Sequence, residues 1–130
     1  MTVVLDASAV LAVIQDEPGQ EIVIDALSDG PLISAANLAE VVAKLAEAEW
    51  PEERIHDAID PFGIEVVALD ETQAYVTGLL RQATRSRGLS LGDRACLALA
   101  MHTGASVLTT DRQWQGIALN PPIEVVVIRG

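Results

Sequence analysis

Residues 2–14 read TVVLDASAVLAVI, a β-branched and apolar run that breaks at Asp6-Ala7-Ser8 and gives way to a short apolar helical pattern ending at Ile14. This is a strand passing directly into a helix, with an acid at the junction. Outward from it the alternation continues. A short helix is expected from about Pro18, with Ile22, Val23, Ala26 and Leu27 on one face and Asp29-Gly30 as its stop. Pro31–Ser34 reads as a brief strand. From Asn37, the apolar positions Leu38, Val41, Val42 and Leu45 give an amphipathic helix that ends before Trp50-Pro51, and another helix covers about Pro51 to Ile59. A turn at Pro61-Phe62-Gly63, a strand over Ile64–Leu69 and a capping-box start at Asp70-Glu71-Thr72-Gln73 lead into a helix through about Thr84. After a basic loop, Arg85–Leu89, the run Ser90-Leu91-Gly92-Asp93 opens a helix that continues past His102 to a stop at Gly104. Ser106–Thr109 and Ile123–Ile128 are the last strands. Strands that alternate with helices and read as near-continuous apolar runs predict an α/β fold, a mostly parallel sheet flanked on both faces by helices.

A chain of 130 residues fits one domain, here expected to span 1–130, and its 50% hydrophobic content supports a sizeable core. Aromatics are only 3%, so that core must be Ala, Val, Leu and Ile. The apolar stretch Ala7–Ile14 is too short to cross a bilayer and no basic leader precedes it, so a cytoplasmic protein is expected, with no membrane association. The single cysteine, Cys96, sits in an apolar helical pattern and reads as a packing residue. Nineteen acids against eight bases give a net charge of −11, which excludes binding of nucleic acid through a broad basic surface. A phosphate-bearing substrate would have to be drawn in locally, by a bound cation or a few placed arginines.

In an open parallel sheet, the carboxyl ends of the strands and the amino ends of the following helices share one edge, where ligands bind. Four acids map to it: Asp6 and Asp111 follow apolar strands, and Glu40 and Asp93 fall in the first turn of helices. Capping and the helix dipole account for any one acid at such a position, and Asp70 is the example where capping suffices. The surroundings add weight, because Ser8 follows Asp6, Thr109 and Thr110 precede Asp111, and Asn37 lies one turn before Glu40. Such hydroxyls and amides orient carboxylates. Carboxylates about 5 Å apart repel by roughly 3 kcal/mol per pair at an effective dielectric near 20, so a convergent cluster demands a cation or protonation. Oxygen ligands with no paired His or Cys favour Mg²⁺ or Mn²⁺, and His56 and His102 stand in unrelated contexts.

Four motifs carry a resemblance over nearly the whole chain: Val4-Leu5-Asp6-Ala7-Ser8-Ala9, Asn37-Leu38-Ala39-Glu40-Val41, Gly88-Leu89-Ser90-Leu91-Gly92-Asp93-Arg94-Ala95 and Leu108-Thr109-Thr110-Asp111. In this order and spacing the sequence resembles the PIN-domain ribonucleases, in particular the VapC toxins of toxin–antitoxin pairs. The resemblance implies a PIN-like three-layer domain and a Mg²⁺- or Mn²⁺-dependent ribonuclease that hydrolyses RNA with a metal-activated water. It implies Asp6, Glu40, Asp93 and Asp111 as the metal-binding carboxylates, with Ser8 and Thr109 as accessory positions beside Asn37. The implied partners are RNA, a VapB-type antitoxin whose tail covers the acidic pocket, and a second copy in a homodimer.

Arg81, Arg85, Arg87 and Arg94 hold half of the basic residues and flank Asp93, as candidates for contact with an RNA backbone; cations at a helix carboxyl end are the alternative reading. Val10, Leu11, Ile14, Ile22 and Val23 form either core or part of an antitoxin groove. A catalytically silent PIN-fold binding protein is the rival from another class. An aspartate-based phosphotransferase is disfavoured, because Ser8 stands where a second acid is wanted and the only lysine, Lys44, lies mid-helix.

Overall fold

Five strands, β1 (Val3–Leu5), β2 (Pro31–Ser34), β3 (Glu65–Val67), β4 (Ser106–Thr109) and β5 (Val125–Val127), pair in the order β3-β2-β1-β4-β5 in a computed structural model that describes residues 2–129. Every pairing is parallel. The connections are helical, as parallel neighbours require: α1 (Ala7–Ile14), α2 (Gln20–Ala26), α3 (Ala35–Glu47), α4 (Glu52–Ile59), α5 (Glu71–Thr84) and α6 (Leu91–Thr103).

The pleat sends alternate side chains of β1 into two cores. Val3 and Leu5 join α1 to α4 through Val10, Val23, Val41, Leu45 and Ile55, while Val4 joins a second core built from Leu80, Leu97, Leu99 and Trp114. The result is a three-layer domain. Chain order is the feature that positions the site. From β1 the chain moves outward through β2 to β3, then returns to the far side of β1 as β4. At that reversal the carboxyl ends of β1 and β4 lie side by side, which is where ligands bind in open parallel sheets.

The predicted elements are present, with shifts at their ends. The helix expected from Pro18 begins at Gln20, because Gly19 takes a left-handed φ of +92°. The strands expected over Ile64–Leu69 and Ile123–Ile128 shrink to β3 and β5. Coverage on both faces holds for β1, β2 and β4 but not for the edge strand β3, where Glu65 and Val66 are exposed. Asp70 forms half of the expected capping box, its Oδ1 accepting from Gln73 N at 2.9 Å; the complete box is at Ser90 and Asp93. Val10 and Val23 are sealed in the core rather than lining a groove. Cys96 is fully buried as a packing residue, and burial holds its thiol protonated well above the ordinary range. Among the described residues, no helix is long and apolar enough to cross a membrane.

Candidate active site

Asp6 is the residue between β1 and α1, and it has the extended backbone of a helix cap, φ −72° and ψ 156°. Its side chain makes no cap bond. Instead Oδ2 accepts from Ser8 Oγ at 2.6 Å and from Thr109 Oγ1 at 2.9 Å. Both hydroxyls are held from behind: Thr110 N donates to Ser8 Oγ at 3.0 Å, and Asp111 N donates to Thr109 Oγ1 at 3.1 Å. The end of β4 thereby fixes the acid at the end of β1. Asp6 is only 5% exposed. Burial pushes its carboxyl up to about 6; the two hydroxyls pull it down, and the charges of Asp93 and then Glu40 push it further up.

Glu40 lies deeper in its helix than the sequence predicts. Helix α3 starts at Ala35 with Ser34 as its cap, Ser34 Oγ accepting from Ala36 N, so Glu40 falls in the second turn, beyond the reach of capping. Its Oε1 accepts from Asn37 Nδ2 at 3.0 Å, and the same amide donates to Gly92 O at 3.0 Å. Asn37 is fully buried, and its Oδ1 has no partner among the described residues. A Cβ on Gly92 would stand 2.2 Å from Glu40 Oε1. The Glu40 carboxylate therefore rests on the first turn of α6, beside Asp93. Sequence reasoning passed over Gly92; a glycine inside a helical first turn, where it costs about 1 kcal/mol against alanine, was the available signal.

The other two acids do cap. Asp93 Oδ2 accepts from Ser90 N at 2.9 Å while Ser90 Oγ accepts from Asp93 N at 3.1 Å. Asp111 Oδ1 accepts from Gln113 N at 2.9 Å and caps the turn Arg112–Trp114. The fold thus brings Asp6, Glu40 and Asp93 into mutual electrostatic range, and turns Asp111 towards its own chain. Among the described residues no three acid, His or Cys side chains converge tightly enough to ligate one ion in this conformation.

The arginines separate. Arg94 is buried, 8% exposed, and donates from Nη1 to Thr77 O at 3.0 Å, so it ties α6 to α5 and cannot reach an RNA backbone. Arg87 donates to the carbonyls of Gln113, Gln115 and Gly116 and braces the loop after Asp111. Arg81 and Arg85 are exposed. His56 pairs with Glu52 at 3.4 Å on the surface of α4, and His102 is exposed near the end of α6.

The PIN-domain family model matches residues 3–119. Ribonuclease VapC42 of Mycobacterium tuberculosis and a VapC ribonuclease of Mycobacterium bovis are each 35% identical over 117 residues, spanning 81% of this chain and 87% of the relative. Among solved structures, VapBC2 of Rickettsia felis bound to a promoter DNA fragment superposes with a TM-score of 0.75 at 18% identity, covering 97% of this chain and 98% of that one. A toxin–antitoxin complex of Klebsiella pneumoniae gives 0.76 at 19% identity, with 97% of each chain covered.

Proposed function

This chain belongs to the PIN-domain family, and from that premise we propose that it is the toxin ribonuclease of a VapBC-type pair, hydrolysing RNA phosphodiesters with Mg²⁺ or Mn²⁺. The carrying observation is the state of Asp6. It is an acid released from capping, almost closed to water, held by two hydroxyls and set beside two further acids. A small domain keeps such an arrangement at a cost to stability, and a hard divalent cation is the counter-charge an all-oxygen set fits.

Asp6, Glu40 and Asp93 would hold the ion, with Asp111 at the rim. When bound, the cation supplies an activated water and neutralises charge on the scissile phosphoryl group. The remaining work belongs to the chain. Ser8 and Thr109 orient Asp6, and Asn37 orients Glu40. The backbone of Gly92 leaves room for the Glu40 carboxylate. The net charge of −11 repels free RNA and makes the local cation the point of attraction. The antitoxin reading is supported by the likeness to VapBC assemblies and to a curated VapC relative.

The protein purified free of any antitoxin should cleave RNA when Mg²⁺ or Mn²⁺ is added. Asp6→Asn should abolish cleavage while keeping the helical circular-dichroism spectrum and cooperative melting. Cleavage that survives a chelator would defeat the metal reading, and full activity in Asp6→Asn would defeat the site. A folded wild type that cleaves no RNA with either ion would favour the silent binding protein.

A further inference from the structure

Charge is divided between the two helical layers. Fifteen of the nineteen acids lie between residues 16 and 71, most of them on or beside α2, α3 and α4, with only Lys44 and Arg54 as basic residues. Residues 72–130 hold three acids, Asp93, Asp111 and Glu124, against six arginines. The net charge of −11 thus combines a strongly acidic layer with a weakly basic one formed by α5, α6 and the turns around them. An RNA strand is repelled by the first and admitted by the second.

Within the basic layer, two chain segments meet at the catalytic edge. The turn Arg85–Arg87 leads through Gly88 into the first turn of α6, which carries Asp93, and the turn Arg112–Trp114 follows Asp111 directly. Arg87 joins them, its guanidinium donating to Gln113 O at 3.1 Å and also to the carbonyls of Gln115 and Gly116. Three backbone acceptors commit this side chain to its own chain. The clasp brings Arg85, two residues before Arg87, and Arg112, one residue before Gln113, to one junction. Both are exposed, and neither takes part in an ion pair among the described residues. The dipole of α5 accounts for Arg85 at its carboxyl end. It gives no reason for Arg112, which opens its turn.

We propose that Arg85 and Arg112 form a two-point clamp on the RNA backbone beside Asp93 and Asp111, assembled by Arg87 as a positioning residue, so that the strand enters over the α5–α6 layer. Contacts to phosphate fix where a strand lies without reading its bases, and a guanidinium fork matches a phosphate. Arg112 lies outside the run of arginines from 81 to 94 and joins it only through the fold. The clamp presupposes the RNA-hydrolysis reading above but uses none of the acids on which that reading stands.

Fluorescence anisotropy of a labelled single-stranded RNA tests it, with the full chain titrated in the Asp6→Asn background with Mg²⁺ over a series of salt concentrations. Arg85→Gln and Arg112→Gln should each weaken binding of unrelated RNA sequences alike and flatten the slope of log affinity against log salt by about 0.7. Arg87→Gln should weaken binding by itself but add no further loss to Arg112→Gln. Arg54→Gln, on the acidic layer, should bind as its parent does. Unchanged affinity and slope in Arg85→Gln and Arg112→Gln overturn the clamp, as does a parent that binds no RNA. An equal loss in Arg54→Gln overturns it too, since any removed charge would then suffice. Additive losses in the Arg87→Gln and Arg112→Gln pair would make Arg87 a direct contact and overturn its positioning role. Wild-type cleavage separates the two readings: a chain that cleaves RNA while both arginine variants bind it normally keeps the ribonuclease and loses the clamp. One that binds RNA through Arg85 and Arg112 without cleaving it keeps the clamp and loses the ribonuclease.

Discussion

Burial at Asp6 outweighs the two hydroxyls that stabilise its charge, which makes this residue a source of pH-dependent instability when no cation is present. Its carboxyl is raised from the ordinary 3.8 of a free aspartate to about 6, so between these values the folded chain binds more protons than the unfolded one. Stability contributed by the protonated acid is then lost as pH rises through that window, with a full amplitude of about 3 kcal/mol. Asp6→Asn removes this loss. In chelator, the variant should match wild type in urea melts near pH 4 and exceed it at pH 7.5. A variant less stable at pH 7.5 would mean that the carboxylate is structural. Thr109→Val deletes one of the two donors to Oδ2. It should push the Asp6 carboxyl higher and weaken Mn²⁺ binding by about tenfold in calorimetry, since a hydrogen bond to a charged group is worth about 1.5–3 kcal/mol.

Between elements, α3 and α6 meet through Asn37, whose amide spans Glu40 and the Gly92 carbonyl. Gly92→Ala should gain up to about 1 kcal/mol from helix propensity. Its Cβ nonetheless invades the position of the Glu40 carboxylate, a flexible group that can swing aside. The expected outcome is a fold of equal or slightly higher melting temperature with a large loss of Mn²⁺ affinity and RNA cleavage. Unchanged ion affinity would show that the position of Glu40 is irrelevant. Arg94 is a different case. Its guanidinium lies between α6 and α5, so Arg94→Ala should cost about 2 kcal/mol in urea unfolding through lost packing and a lost bond to Thr77 O. A variant with wild-type stability and reduced RNA affinity would return Arg94 to the nucleic-acid reading.

Across the whole molecule, the segment after β5 closes on the turn before α2. Gly19 at φ +92° faces Ile128, whose carbonyl oxygen would lie 2.2 Å from an added Cβ, and Arg129 pairs with Glu17 at 2.8 Å. Gly19→Ala strains both the turn and this closure and should destabilise the domain by at least about 2 kcal/mol in denaturant melts. The parallel α/β architecture was legible in the sequence because apolar strand runs and 3.6-residue periodicity are local signals, read over a few neighbouring residues. The four acids were equally legible as residues at strand and helix ends. Their different states were not. Asp6 released from capping, Glu40 one turn further into its helix, Asp93 in a complete capping box, Asp111 turned to its own loop and Arg94 inside the core all depend on contacts between residues far apart in the chain. Helix starts can shift by two residues without altering the apolar pattern, so the same pattern fits a start at Asn37 as well as the observed start at Ala35, which puts Glu40 in the second turn. Sequence by itself determined the elements, their order and which acids lie along one edge. Only the tertiary structure decided which of them face one another, because burial, mutual repulsion and long-range hydrogen bonds exist only once β1 and β4 lie side by side.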